Sequence, residues 1–363
     1  MTSVRPILFV LACSFAAAIT LPAQEARVSN LSVRAEAGGG ADTLITGFTV
    51  GPGLRKTVLI RAVGPTLGVF GVAGTLADPK LELFSGTTKI AENDNWNASD
   101  ANTFTSVGAF ALGANSKDAA LVATLDPGSY TAQVSGLGAA AIGVALVEVY
   151  EITGGATRLI NLSTRARVGT GANILIPGLT VAPGSAPRRL LLRAVGPGLT
   201  AFGVSGALAD PKLELLGAAG KIAENDNWET AIGTASVDAA QLRTAFGESG
   251  AFPLTAGSKD AALLVNLPSG GYTLQVSGVG LPAGAGATTG IALVELYDLT
   301  PPGATVSPNA SLYIAQLRPE ASATGSMAAG FATISFNADG TSASVGVTFS
   351  NLSSGQKIGR AHV

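Results

Sequence analysis

Short runs in which apolar and polar residues alternate, separated by glycine or proline, fill most of this chain. A period of two is the mark of a strand with one buried face. Arg27 to Ala35 and Thr43 to Val50 are two such runs, with Gly38-Gly39-Gly40 as the turn between them. Thr57 to Ala62 is a third, and it stops at Gly64-Pro65 because proline has no N–H for a ladder. Within it Val58, Ile60 and Ala62 alternate with Leu59 and Arg61, which points Arg61 outward or into a polar rim. Leu67 to Leu76 is glycine-broken and reads as a packed loop. Leu81 to Phe84 and Lys89 to Ala91 predict a hairpin around Ser85 to Thr88. Ala119 to Leu125 and Ser129 to Ser135 predict a second one around Asp126-Pro127-Gly128. Gly143 to Ile152 closes the set, with Val144, Leu146, Val147 and Val149 inward. About eight short strands at this spacing predict an all-β fold, a two-sheet sandwich of jelly-roll-like form.

The whole pattern then occurs again. Asn-Leu-Ser opens at Asn30 and at Asn161, and Arg-Ala-Val-Gly-Pro follows at Arg61 and at Arg193. Ala-Asp-Pro-Lys-Leu-Glu-Leu recurs from Ala77 and Ala209, and Ala-Glu-Asn-Asp-Asn-Trp from Ala91 and Ala223. Ser-Lys-Asp-Ala-Ala-Leu recurs from Ser116 and Ser258, and Gln-Val-Ser-Gly from Gln133 and Gln275. A duplicated unit of roughly 130 residues is domain-sized, so two tandem sandwich domains are expected, over 24–152 and 156–299. The copies differ most in one loop, Asn97 to Phe110 against the longer Glu229 to Phe252, which carries the helix-compatible Ala239-Ala240-Gln241-Leu242-Arg243. Insertions are tolerated on surfaces, which places this loop at one end of each domain.

Composition narrows the class. Hydrophobic residues make up 47% and charged residues 13% of the chain, with 47 glycines, as turn-rich β domains require. Net charge is −2 and basic residues are scattered, densest at Pro187-Arg188-Arg189, so there is no footprint for nucleic acid. Arg5, an apolar run from Ile7 to Ile19 and Leu21-Pro22-Ala23 form an export signal over residues 1–23, too short to span a membrane. Val10-Leu11-Ala12-Cys13 loosely resembles a lipobox, leaving free secretion and a lipid anchor both open. Cys13 is the only cysteine, so a mature chain has neither disulfides nor thiolate metal sites.

The segments LELFSGTTKIAENDNW (from Leu81), LDPGSYTAQVSG (from Leu125) and GVALVEVYE (from Gly143) resemble the bacterial pre-peptidase C-terminal type of β-sandwich. The resemblance covers about the last two-thirds of each repeat and implies a non-catalytic appendage of an exported protein. Residues 300–309 read as a proline-bearing linker. Beyond it, the Tyr-Ile-Ala-Gln-Leu strand from Tyr313 and the Asn-Ala-Asp-Gly turn from Asn337 resemble the start of a CHRD (chordin-type) domain over 310–357, cut short. Ile358 to Val363 matches the translation of a common sequencing-adapter oligonucleotide and reads as an artefactual tail.

His362 is the only histidine, so Ser-His-Asp and His-metal chemistry have no material in the repeats. A carboxylate pair in a cleft stays open on composition alone. The one cluster of hard oxygen ligands is the turn Asn93, Asp94 and Asn95, repeated at Asn225, Asp226 and Asn227. Asp118 and Asp260 are candidates to join it, as are Asp78 and Asp210, which makes calcium the metal to test. The competing reading has the same residues as Asx turns ending a hairpin, with Trp96 and Trp228 as packing anchors rather than sugar platforms. The expected function is exported or cell-surface binding or scaffolding, of an extracellular polysaccharide or protein. The alternative is the non-catalytic portion of a secreted hydrolase.

Overall fold

The computed structural model describes residues 27–138, 142–152, 157–182, 187–230, 232, 237–280 and 289–301, and the backbone of three later strands. The first repeat forms β1 (Val28–Ala37), β2 (Leu44–Val50), β3 (Lys56–Val63), β4 (Pro79–Ser85), β5 (Thr88–Asn93), β6 (Ala119–Leu125), β7 (Gly128–Gly136) and β8 (Gly143–Glu151). A short helix α1 (Ala101–Ser106) interrupts the loop between β5 and β6. The second repeat forms β9 (Leu159–Val168), β10 (Ile176–Val181), β11 (Arg188–Val195), β12 (Pro211–Gly217), β13 (Gly220–Asn225), β14 (Ala261–Leu267), β15 (Gly270–Gly278) and β16 (Gly290–Asp298). Its longer loop carries α2 (Ala239–Ser249), started by Asp238 and Gln241 in a reciprocal capping box.

The strands build two sheets of eight, packed face to face. One runs β13-β12-β15-β10-β1-β8-β3-β6 and the other β14-β11-β16-β9-β2-β7-β4-β5. Each sheet takes four strands from each repeat. The repeats meet edge to edge twice, β1 beside β10 and β2 beside β9, both antiparallel. These are equivalent joints under a pseudo-two-fold, since β10 is the counterpart of β2 and β9 of β1. The expected pair of sandwiches is thus one continuous pair of sheets. The reason is backbone chemistry: β1 and β2 each have one neighbour within their own repeat, and an open ladder edge needs another strand. One apolar core runs through both copies, from Val33, Phe48 and Val149 to Leu162, Leu179 and Val294.

The hairpin expected of β6 and β7 is not formed. β6 pairs with β3 in one sheet, whereas β7 pairs with β2 and β4 in the other. Asp126-Pro127-Gly128 therefore arches across the sandwich. Gly128, at φ +152°, makes the crossing, and the Tyr130 hydroxyl bonds back to the Asp126 carbonyl at 2.9 Å. Tyr272 does the same to Pro268 at 2.9 Å, a tyrosine corner in both copies. Only β4–β5 and β12–β13 are hairpins between successive strands within the repeats.

Leu67 to Leu76 begins as a 3-10 turn over Pro65–Phe70, capped by Gly71 at φ +77°. Further on, β17 (Tyr313–Leu317), β18 (Ala329–Phe336) and β19 (Ala343–Ser350) form a three-stranded antiparallel sheet. The export signal, the linker beyond residue 301, the segment 358–363, Cys13 and His362 lie outside the described residues. Among the described residues no helix is long and apolar enough to cross a membrane.

Candidate functional site

The repeated Asn-Asp-Asn turn is held by its own side chains. Asn93 Nδ2 donates to the Asn95 carbonyl at 3.0 Å, and its Oδ1 accepts from Ala120 N at 3.0 Å. Asn225 repeats both bonds, to Asn227 at 3.1 Å and from Ala262 at 3.0 Å. The Asx side chain thereby staples the end of the β4–β5 hairpin to β6, which lies in the opposite sheet. Trp96 N and Trp228 N then donate to the carbonyls of Asp118 and Asp260, each at 2.8 Å. The indoles pack against Phe104 and Phe246 at 5.6 Å, and their Nε1 groups donate to Gly113 and Thr255 carbonyls. These tryptophans are packing anchors.

Asp118 and Asp260 are fully buried, and their carboxylates face donors. Asp118 Oδ1 accepts from Gly64 N at 2.7 Å, and Oδ2 from Ser116 Oγ at 2.6 Å and from the Thr66 hydroxyl. Asp260 accepts from Gly196 N at 2.8 Å, Gly198 N at 3.2 Å and Ser258 Oγ at 2.8 Å. A calcium ligand must turn its lone pairs toward a shared vacancy, and these are already taken by N–H and O–H groups. Asp94 is exposed, and Asp78 and Asp210 lie toward Lys117 and Lys259 at 3.9 and 3.5 Å. Among the described residues no three His, Cys, Asp or Glu side chains converge. The carboxylates of Asp118 and Asp260 and the side chains of Asn93 and Asn225 are spent on the turns, while Asp78 Oδ1 and Asp210 Oδ1 are buried without a hydrogen-bond partner.

The motif glutamates are used on the surface. Lys80, Glu82, Lys89 and Glu92 form a four-charge square over the β4–β5 hairpin, with contacts of 2.6 to 3.1 Å. Lys212, Glu214, Lys221 and Glu224 repeat it, and two lysines hold Glu224 down to about 2. β5 and β13 are edge strands, and a charged face discourages further strands from adding.

Two further charge networks are buried. Arg61 does point away from the sandwich core, yet it is 0% exposed because the variable loop closes over it. Its Nε donates to Glu148 at 2.8 Å, its Nη1 to the Phe110 carbonyl at 2.6 Å, and its guanidinium lies 4.4 Å from the Phe110 ring centre. Arg193 holds Glu295 at 3.1 Å, the Phe252 carbonyl at 2.8 Å and the Phe252 ring at 4.5 Å in the same way. Tyr150 and Tyr297 each donate to the paired glutamate at 2.7 Å, and burial raises both phenols. Burial also raises the Glu295 carboxyl and lowers Arg193. The Arg-Ala-Val-Gly-Pro arginine is therefore the clamp that holds a loop of variable length on a constant sheet.

At the end of each repeat a second pair grips the chain. Glu151 Oε2 meets Lys56 Nζ at 3.0 Å and Arg27 Nε at 2.8 Å, while its Oε1 accepts from Leu159 N at 2.7 Å, at the start of the second repeat. Burial nevertheless raises its carboxyl. Arg188 and Asp298 form the equivalent pair, with bonds of 3.0 and 2.6 Å.

Beside that second pair lies a cavity of about 860 Å³ on the seam between repeats. Thr49 and Pro52 come from the first repeat, and Ile160, Arg189, Glu248 and Tyr297 from the second. Arg189 forms an ion pair with Glu248 near the C-terminal end of α2. Equivalent positions of the first repeat hold Ser29, Thr57 and Ser106 in place of Ile160, Arg189 and Glu248. None of the Asn-Asp-Asn turn residues lines it. Sequence reading singled out repeated residues and so passed over this place. The signal available was the difference between copies at three matched positions.

No protein-family model matches the chain, and no curated protein matches it. The two family resemblances rest on their motifs alone.

Proposed function

We propose that this is a non-catalytic exported or cell-surface protein that binds or scaffolds an extracellular ligand. The observation that carries this reading is the division of labour between the copies. Both keep the same turn locks, arginine clamps and charge squares, while the variable loop and the seam cavity differ. A rigid frame presenting variable surface is how recognition modules are built. The groups whose protonation burial shifts, Glu151, Glu295, Tyr150, Tyr297 and Arg193, are engaged in packing networks, and the one that lines the cavity, Tyr297, has its hydroxyl donated to Glu295. That favours binding over the reading of a hydrolase fragment. The leader-like residues 1–23 support export.

The test has two arms. The whole chain fused to alkaline phosphatase, which matures only outside the cytoplasm, should give active enzyme in a bacterial host. An inactive fusion defeats the export reading. Purified protein should leave chromogenic glycoside, ester and peptide substrates unchanged, and turnover that tracks the protein through purification defeats the non-catalytic one.

A further inference from the structure

We propose that the seam cavity is a saccharide site, an inference that rests on the binding reading above. Three observations carry it. First, the cavity departs from the internal symmetry at the residues that give it chemistry. Where the first repeat has the small Ser29, Thr57 and Ser106, the second has Ile160, Arg189 and Glu248. Divergence in a duplicated frame marks the copy that has acquired a separate task.

Second, the charged side chains lining it are equal in number and opposite in sign, Arg158 and Arg189 against Glu248 and Asp298, and each is tied to a protein partner: Arg189 to Glu248, Asp298 to Arg188 and Arg158 to the Thr300 carbonyl. A lining without net charge gives little field to select an anion or a cation. It suits an uncharged ligand.

Third, the polar and apolar parts are set as a pyranose needs them. Ile160, Leu299 and the Tyr297 ring supply apolar surface for the C–H face of a sugar. The Arg189–Glu248 fork supplies fixed donors beside fixed acceptors, and adjacent hydroxyls can both accept and donate there. The pair remains partly solvent-exposed, at 35% and 43%, so it is within reach of a ligand. The volume is that of a small-molecule site and accommodates a short oligosaccharide.

The full chain is titrated with cellohexaose, xylohexaose, chitohexaose and maltohexaose by calorimetry and saturation-transfer NMR. The variant Ile160→Ser/Arg189→Thr/Glu248→Ser carries the residues that the first repeat tolerates at the same places, and circular dichroism confirms its fold. At least one hexasaccharide should bind, and affinity should fall about tenfold or more in the variant, as loss of charged hydrogen bonds implies. Asp94→Ala, on a distant turn, should bind as the unaltered chain does. Failure of all four sugars, or binding unchanged in the triple variant, overturns the proposal. A proline-rich peptide bound in the cavity in their place removes the saccharide and keeps the binding reading, whereas turnover of any sugar removes the non-catalytic reading.

Discussion

Gly64 and Asp118 belong to motifs 54 residues apart, and the Gly64 N–H donates to the buried Asp118 carboxylate at 2.7 Å. Gly196 and Asp260 repeat the bond at 2.8 Å. The Arg-Ala-Val-Gly-Pro and Ser-Lys-Asp motifs recur together because each completes the other. One turns sharply out of a strand and exposes N–H groups, and the other supplies the acceptor. Asp118→Ala should lower unfolding stability by about 3 kcal/mol, since it leaves several donors buried and unpaired. Asp94→Ala should stay within about 0.5 kcal/mol, as exposed positions do. Urea denaturation separates the two, and equal effects would mean that Asp118 is not the lock. Millimolar calcium should leave both midpoints in place.

The glycine of that turn is required for space. A Cβ on Gly64 would stand 2.1 Å from the Leu76 carbonyl oxygen, and one on Gly196 would stand 2.0 Å from that of Leu208. Backbone cannot yield as a side chain does. Gly64→Ala should cost about 2 to 3 kcal/mol. Gly47 offers a contrast, because its added Cβ would meet Ser163 Oγ at 2.7 Å and a hydroxyl can rotate away. Gly47→Ala should cost under about 1 kcal/mol by the same denaturation assay.

Strand positions were legible because alternation reports one buried face directly. Arg27 to Ala35 and Thr57 to Ala62 match β1 and β3 within one or two residues. The partner of each strand was not legible. β6 and β7 look like a hairpin because Asp126-Pro127-Gly128 is a good turn, and turn chemistry is the same whether the chain folds back in its sheet or crosses to the other. The same limit hid the joining of repeats, since β1 carries no local mark of pairing with β10. The candidate site was ambiguous for a related reason. Asp and Asn oxygens can bind a cation or lock a turn, and only the direction of neighbouring N–H groups decides.

Acid and base act on different carboxylates. Burial raises Glu151 and Glu295 above the ordinary 4.5, so the folded state holds their protons more tightly than the unfolded chain. Their contribution is complete below 4.5 and is lost as pH rises through the raised value. Glu224, held down to about 2, acts oppositely: its contribution exists above 4.5 and is lost as pH falls toward 2. The urea midpoint should therefore decline as pH rises above 4.5. Glu151→Gln/Glu295→Gln should flatten that decline, and an unchanged slope would place its origin elsewhere.

Removing the arginine clamp should free the loop before the sheets. Arg61→Met leaves Glu148 buried without its partner and releases the Phe110 carbonyl, at a cost of about 3 kcal/mol. Limited proteolysis should then cut between Asn97 and Phe110, where the unaltered chain is protected. Arg61→Met/Glu148→Gln should recover part of the stability and leave the loop cleavable. Cleavage spread evenly over the chain would show that the arginine supports the whole sandwich.

The seam makes the repeats depend on each other. In the whole chain Leu31 faces Leu179 across one joint and Phe48 faces Leu162 across the other. A fragment covering 27–152 keeps all eight strands of its repeat but exposes the ladder edges of β1 and β2. Exposed edges recruit strands, and here the matching pair exists on any second copy: β1 of one fragment fits β2 of another under the same two-fold. The fragment should therefore elute as a dimer, with larger species as concentration rises, whereas the whole chain satisfies those edges internally. Ser32→Pro lies where β1 meets β10 and would remove an N–H in mid-strand, so it should weaken dimerisation of the fragment. A monomeric fragment with the stability of the whole chain would mean that each repeat is self-sufficient and that the seam adds contact without being required.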